Sequence, residues 1–278
     1  MPRREGIFVV DPDYAAAPDH PVESTERFYQ RVVRAAKAVF RAQGTTTTLH
    51  GTDNLPLEGG ALLAINHTGW FDFIFAGMGP HLRGRRLVRF MAKAEVFPMP
   101  VIGWLMRGMK HVPVDRSAGA SAVDAAVECL EDGGLVGIFP EGTISRSFEL
   151  SDFKTGGARI AQRAGVPLIP CVIWGSQRIW TKDLPRRLGR THTPVIVRYG
   201  APVSTEGTPE EVTARLKRAM SELLDASREE YAREFGPFPS GERWMPTSLG
   251  GSAPTPEEAE EIYAREKEAR ASKKKKKA

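Results

Sequence analysis

Short apolar runs alternate along this chain with longer stretches whose apolar positions recur at helical spacing. Ala61–Ile65, Leu87–Ala92, Leu135–Phe139 and Leu168–Trp174 are of the first kind, the pattern of strands buried on both faces. Thr45–Gly51, His111–Val114 and Pro194–Tyr199 complete the strand candidates. Ser24–Gln43, Gly119–Asp132, Phe153–Ala164 and Glu210–Phe235 read as helices, the first followed by Gly44 and the second by Gly133 and Gly134. Strands alternating with helices across short connections predict an α/β fold, a mainly parallel sheet flanked by helices on both faces.

The pattern divides the chain into an extension (1–23), an amphipathic helix (24–44), a main domain (45–235) and a proline- and glycine-rich linker leading to a charged tail (236–278). The tail mixes charges with few apolar residues and carries a lysine run, Lys273–Lys277, so little fixed structure is expected there. In the amphipathic helix Phe28, Tyr29, Val32, Val33, Ala36, Val39 and Phe40 make one stripe, with Arg27, Arg31, Arg34, Lys37 and Arg41 around it. A basic helix of this kind suits either the headgroup layer of a membrane or a place on the domain surface. Val96–Met109 is apolar and broken by two prolines; it reads as core, with an interfacial segment or an acyl-chain wall as the alternatives.

Composition narrows the partners. The chain has 278 residues, 39 Lys and Arg against 34 Asp and Glu, and a net charge of +5. That mild excess suits a lipid surface, a phosphate or an acidic carrier, and no nucleic acid is expected. Cys129 and Cys171 read as small buried hydrophobes in a reducing compartment, and the scattered histidines predict no metal. The four-residue apolar patch before Asp11 is too short for a signal peptide, and no apolar run is long enough to cross a bilayer.

Candidate chemistry collects where strands end. ALLAI runs into Asn66 and His67, and after a corner through Gly69 comes Asp72 at a helix start. On one continuous helix this spacing would splay the pair, but a corner between them allows a carboxylate to fix the imidazole tautomer for general base work. The plain alternative is a satisfied loop histidine beside an aspartate that caps a helix. Other strand ends deliver Lys93, then Asp115 and Arg116, then Glu141, Gly142, Thr143 and Arg146. A base, an acid, separate cations and a glycine corner on one sheet edge suggest transfer chemistry on an anionic substrate.

NHTGWFD, MAKAEVF, HVPVDR, FPEGTISR and VPLIP, in that order over Leu49–Tyr199, resemble the glycerolipid acyltransferases typified by 1-acylglycerol-3-phosphate O-acyltransferase, the PlsC type. The resemblance implies a glycerolipid acyltransferase-like fold and transfer of an acyl group from acyl-CoA or acyl carrier protein to the hydroxyl of a lysophospholipid. By that likeness His67 is the base and Asp72 its orienting acid, while Arg116, Glu141 and Gly142 line the acceptor site, with Thr143 and Arg146 of the same corner as further candidates for substrate binding. Lys93 corresponds to a family lysine near the phosphate and the reacting carbonyl. Many bacterial members carry arginine directly after the EGT triplet; here Ile144 stands there and Arg146 follows two residues on. That departure bears on the acceptor, because the missing cation is one expected to read a phosphate monoester.

The expected mechanism is direct attack of the lipid hydroxyl on a thioester, with a backbone N–H near Gly142 or the Lys93 ammonium facing the oxyanion. No GxSxG elbow offers a covalent nucleophile, and no cofactor is required beyond the co-substrate. The alternatives are another lysolipid or glycolipid acceptor, or a hydrolase working from the same site. The expected location is the cytoplasmic face of the plasma membrane, as a peripheral protein.

Overall fold

The computed structural model describes residues 3–114 and 119–275. Among these, strands β1 (Arg3–Glu5), β2 (Phe8–Val10), β3 (Thr47–His50), β4 (Ala61–Ile65), β5 (Val88–Lys93), β6 (Val112–Val114), β7 (Leu135–Ile138), β8 (Leu168–Trp174) and β9 (Val195–Tyr199) form one sheet. Its order is β1-β2-β3-β9-β8-β4-β7-β5-β6. β1 with β2 and β8 with β9 run antiparallel, and every other neighbouring pair is parallel. The alternation of elements therefore produces the mainly parallel sheet that it predicts. The first strand pair was not expected: Phe8, Val9 and Val10 extend the sheet by pairing with Thr47, Thr48 and Leu49.

Two cores lie on the two faces of this sheet. Along β4, Leu62 and Ala64 enter one with Val136, Val172 and Trp174, while Ala61, Leu63 and Ile65 enter the other with Leu135, Cys171 and Ile173. This period of two across fully buried strands is why β4 and β8 carry no charge. Helices α5 (Gly119–Glu131), α6 (Gly156–Ala164) and α7 (Pro209–Phe235) contribute to the first core, and α1 (Arg27–Gln43), α2 (Asp72–Ala76) and α3 (Met78–Leu82) to the second. α7 starts on a capping box, Thr208 with Glu211, and has Pro209 in its first turn.

The apolar stripe of α1 is mostly spent on the protein itself. Tyr29 is buried and donates its hydroxyl to the Val88 carbonyl (2.7 Å). Phe28, Val32 and Val33 pack with Leu87, Met109, Leu105 and Met106. Arg27, Arg31, Arg34 and Arg41 are left exposed on the outer face. The apolar segment around Val96–Met109 contains helix α4 (Pro100–Gly108), which turns Val101, Ile102 and Trp104 to the surface.

The stretch 236–278, expected to be a linker and a charged tail, is fixed structure over most of its length. Phe238 and Trp244 surround Tyr231, and the Arg178 guanidinium lies 4.6 Å from the Trp244 ring. These aromatics bury enough surface to order a segment that is otherwise rich in proline and glycine. Helix α8 (Pro256–Lys275) then begins on reciprocal bonds between Thr255 and Glu258. Its charged composition hides a small docking face that includes Ala259 and Tyr263. Among the described residues no helix is long and apolar enough to cross a membrane.

Candidate active site

Parallel pairing sends the chain out of β4, β7 and β8 at one edge of the sheet. Asn66, the first residue beyond β4, bridges to β8: its Nδ2 donates to the Ile173 carbonyl (3.0 Å) and its Oδ1 accepts the Ile173 N–H (2.7 Å). That two-way bond fixes where the following corner starts. Gly69 belongs in the corner because a Cβ there would stand 3.0 Å from Ser176 Oγ and 3.1 Å from the Trp180 carbonyl oxygen.

Within this corner His67 and Asp72 meet. Nδ1 of His67 lies 3.0 Å from Asp72 Oδ2. The carboxylate is 0% exposed, whereas the imidazole side chain keeps 20% of its exposure. Oδ2 also accepts the N–H groups of Thr68 and Gly69, each at 2.7 Å, and Oδ1 accepts the hydroxyl of Ser176. These backbone donors precede α2, so Asp72 does not cap the helix it begins, which disposes of the capping alternative. One face of the ring is covered by Phe139, stacked with its centroid 4.1 Å from that of His67.

The loop after β7 grips the His67 backbone from both sides. Glu141 Oε1 accepts the His67 N–H (2.8 Å), and the Ser145 N–H donates to the His67 carbonyl (2.7 Å). Glu141 Oε2 accepts both the N–H and the hydroxyl of Ser151, at 3.1 and 3.0 Å. Burial pushes the Glu141 carboxyl above the usual range, and these donors act in the opposite direction.

Several residues expected on the acceptor pocket are thus engaged within the chain. Both oxygens of Glu141 hold backbone. Gly142 takes a left-handed φ of +71° and gives its own N–H to the Phe139 carbonyl (3.0 Å), closing a turn. Arg146 is only 6% exposed in its side chain, is paired with Asp183 and with Glu266 (2.5 Å), and lies against the Tyr263 ring. It forms internal ion pairs where an open phosphate-reading face was expected, because α8 covers it. Thr143 Oγ1 accepts from Lys182 Nζ at 2.8 Å. Lys93 ends β5, separated from β4 by β7, and is exposed. Arg116 lies outside the described residues.

Ser176, Phe139, Ser151 and Tyr263 were not foreseen. Ser176 follows β8 at the same strand edge as the other candidates, a position that could have flagged it. Its partner Asp72 is 104 residues away, a pairing no local pattern reveals.

A family model described as Acyltransferase matches residues 46–174. The 1-acyl-sn-glycerol-3-phosphate acyltransferase of Bacillus subtilis is 33% identical over 150 residues, 53% of this chain and 71% of that protein. The chloroplastic 1-acyl-sn-glycerol-3-phosphate acyltransferase of Brassica napus is 34% identical over 138 residues, but this chain spans only 38% of its length. Among solved structures, the 1-acyl-sn-glycerophosphate acyltransferase PlsC of Thermotoga maritima superposes with a TM-score of 0.52, covering 74% of this chain and 77% of that one. At 24% identity that likeness is one of fold.

Proposed function

Since the chain belongs to the acyltransferase family, within its 1-acylglycerol-3-phosphate (PlsC) type, we propose that it moves a fatty acyl group from acyl-CoA or acyl carrier protein to the hydroxyl of 1-acylglycerol-3-phosphate. The observation that carries the reading is the His67–Asp72 contact of 3.0 Å, made by a fully buried carboxylate to an imidazole that still reaches solvent. With Nδ1 committed to Asp72, Nε2 is the nitrogen left to accept a proton.

In the step proposed, Nε2 takes the hydroxyl proton as the lipid oxygen bonds to the thioester carbonyl carbon. The tetrahedral intermediate then collapses, the C–S bond breaks, and the imidazolium returns the proton to the departing sulfur. The net products are an ester and a free thiol. Lys93 and Arg116 are the cations assigned to the acceptor phosphate, since an ammonium or a guanidinium fork suits that group. Asp72 holds the tautomer and favours the imidazolium that forms.

The acceptor is a membrane lipid, and the reading takes the protein to lie on the cytoplasmic face of the plasma membrane. Trp104, 57% exposed, and Val101 on α4 sit beside α1, where Phe28 meets Trp104 edge to face at 4.9 Å. Apolar side chains next to exposed arginines form a surface that suits an anionic headgroup layer.

The test is incubation of the purified protein with labelled acyl-CoA or acyl carrier protein and a panel of lysolipids, followed by mass spectrometry of the products. Acyl transfer to 1-acylglycerol-3-phosphate, abolished by His67→Ala in a protein that still folds, is the expected result. Release of free fatty acid without an acylated lipid would make the site a hydrolase instead.

A further inference from the structure

We infer that helix α8 is a working part of the catalytic site, with Tyr263 as a positioning residue for His67. The inference rests on His67 acting as the base, as proposed above. The Tyr263 hydroxyl donates to the Ile144 carbonyl (2.9 Å) and accepts the Arg146 N–H (2.8 Å). These groups bracket Ser145, whose N–H holds the His67 carbonyl at 2.7 Å. One side chain from the far end of the chain thus fixes the two backbone groups on either side of the residue that grips the histidine.

The docking is built from more than one bond. Glu266, one turn beyond Tyr263 on α8, pairs with Arg146 Nη2 at 2.5 Å. The Arg146 guanidinium and the Lys182 ammonium lie 5.2 and 5.3 Å from the Tyr263 ring, while Lys182 Nζ donates to Thr143 Oγ1. Ile144 and Ser145 are themselves buried. Burial raises the Tyr263 hydroxyl above its ordinary value, so it remains protonated and able to donate.

A hydroxyl that donates and accepts at once cannot be replaced by a ring alone. Tyr263→Phe removes both bonds and keeps the ring face on which the cations rest. The freed Ile144–Arg146 backbone then transmits its motion to His67 through a single hydrogen bond. Proton transfer depends on sub-ångström placement of the base, and substrate contacts made elsewhere do not. The effect therefore belongs in kcat, with KM for both substrates spared.

The experiment compares the full chain with Tyr263→Phe, Glu266→Gln and, as a control on the same helix, the exposed Glu260→Gln. Steady-state rates are taken with acyl-CoA and 1-acylglycerol-3-phosphate, and amide hydrogen exchange is followed across 143–147. Tyr263→Phe is expected to lower kcat by about tenfold, to leave both KM values within about twofold, and to speed exchange at the Ser145 and Arg146 amides without a comparable fall in melting temperature. Glu266→Gln should move in the same direction by less, and Glu260→Gln should match the parent. Unchanged kcat, a rise of both KM values in step with the loss of rate, or unaltered exchange would overturn the inference. If the parent protein transfers no acyl group, the functional reading fails by itself, and the exchange measurement still decides whether α8 restrains the loop.

Discussion

Ser176 donates its hydroxyl to Oδ1 of Asp72, the carboxylate oxygen opposite the one that meets His67. Among the described residues, the hydrogen bonds to the Asp72 carboxylate come from β8's exit and from the corner itself, and together they orient it toward the imidazole. Ser176→Ala removes a donor from a carboxylate that is 0% exposed. Hydrogen bonds to buried charged groups are worth about 1.5–3 kcal/mol, so a measurable drop in melting temperature is expected. The same variant should lose activity through kcat, because the freed carboxylate can rotate away from Nδ1. Activity equal to the parent's would show that backbone donors from Thr68 and Gly69 suffice to orient Asp72.

Glu141→Gln tests the hold on the histidine from the other side. Each Glu141 oxygen accepts a different set of donors, the His67 N–H on one and the two groups of Ser151 on the other. An amide has one acceptor oxygen, so either orientation turns an NH₂ group toward a donor. Leaving a buried donor unpaired costs about 1–3 kcal/mol, and a lower denaturation midpoint should accompany a reduced kcat. Full activity with parental stability would show that the loop does not need this carboxylate.

The strands were legible because their chemistry is local. A run such as Ala61–Ile65 can be buried on both faces only as an interior strand, and the corner after it had to carry His67 and Asp72 together. What escaped was long-range. Glu141 and Arg146 stand in a polar block whose spacing suggests a pocket, yet their partners Ser151, Asp183 and Glu266 direct them inward. Composition misled at the carboxyl end as well. The few apolar residues of 256–275 suggest a solvated tail, but Tyr263, Ala259 and the Glu266–Arg146 pair, with a capped first turn, dock a helix on an existing surface. At the other end, Phe8–Val10 is too short to announce a strand until Thr47–Leu49 supplies its partner.

His50 makes the stability of the sheet edge depend on pH. Its ring touches Asp11 after β2 (2.5 Å) and Glu230 on α7 (3.1 Å), tying three distant segments together. Burial alone would lower its pKa, but Glu230 and Asp11 outweigh that and raise it above the ordinary histidine value. A raised folded-state pKa stabilises the native state fully below the unfolded value, about 6.5, and the contribution fades as pH rises through the folded value. The melting temperature should therefore fall between pH 6 and pH 8.5 by more in the parent than in His50→Gln. Parallel curves for the two proteins would rule the pair out as the source.

Attachment to lipid should require the α4 surface and be strengthened by the α1 arginines. α1 cannot insert as an isolated amphipathic helix without tearing Tyr29 from Val88 and its neighbours from Leu105 and Met109, so its share is electrostatic. Exposed Trp104 and Val101 are the groups able to enter the acyl boundary while the fold stays intact. In flotation with phosphatidylglycerol-rich vesicles, Trp104→Ala combined with Val101→Ala should reduce binding at every salt concentration. Arg31→Glu with Arg34→Glu should weaken it mainly at low salt, since screening over about 8–10 Å already blunts such charges near physiological ionic strength. Undiminished flotation of both double variants would mean that the protein meets the bilayer through another face, and the membrane surface would have to be sought away from α1 and α4.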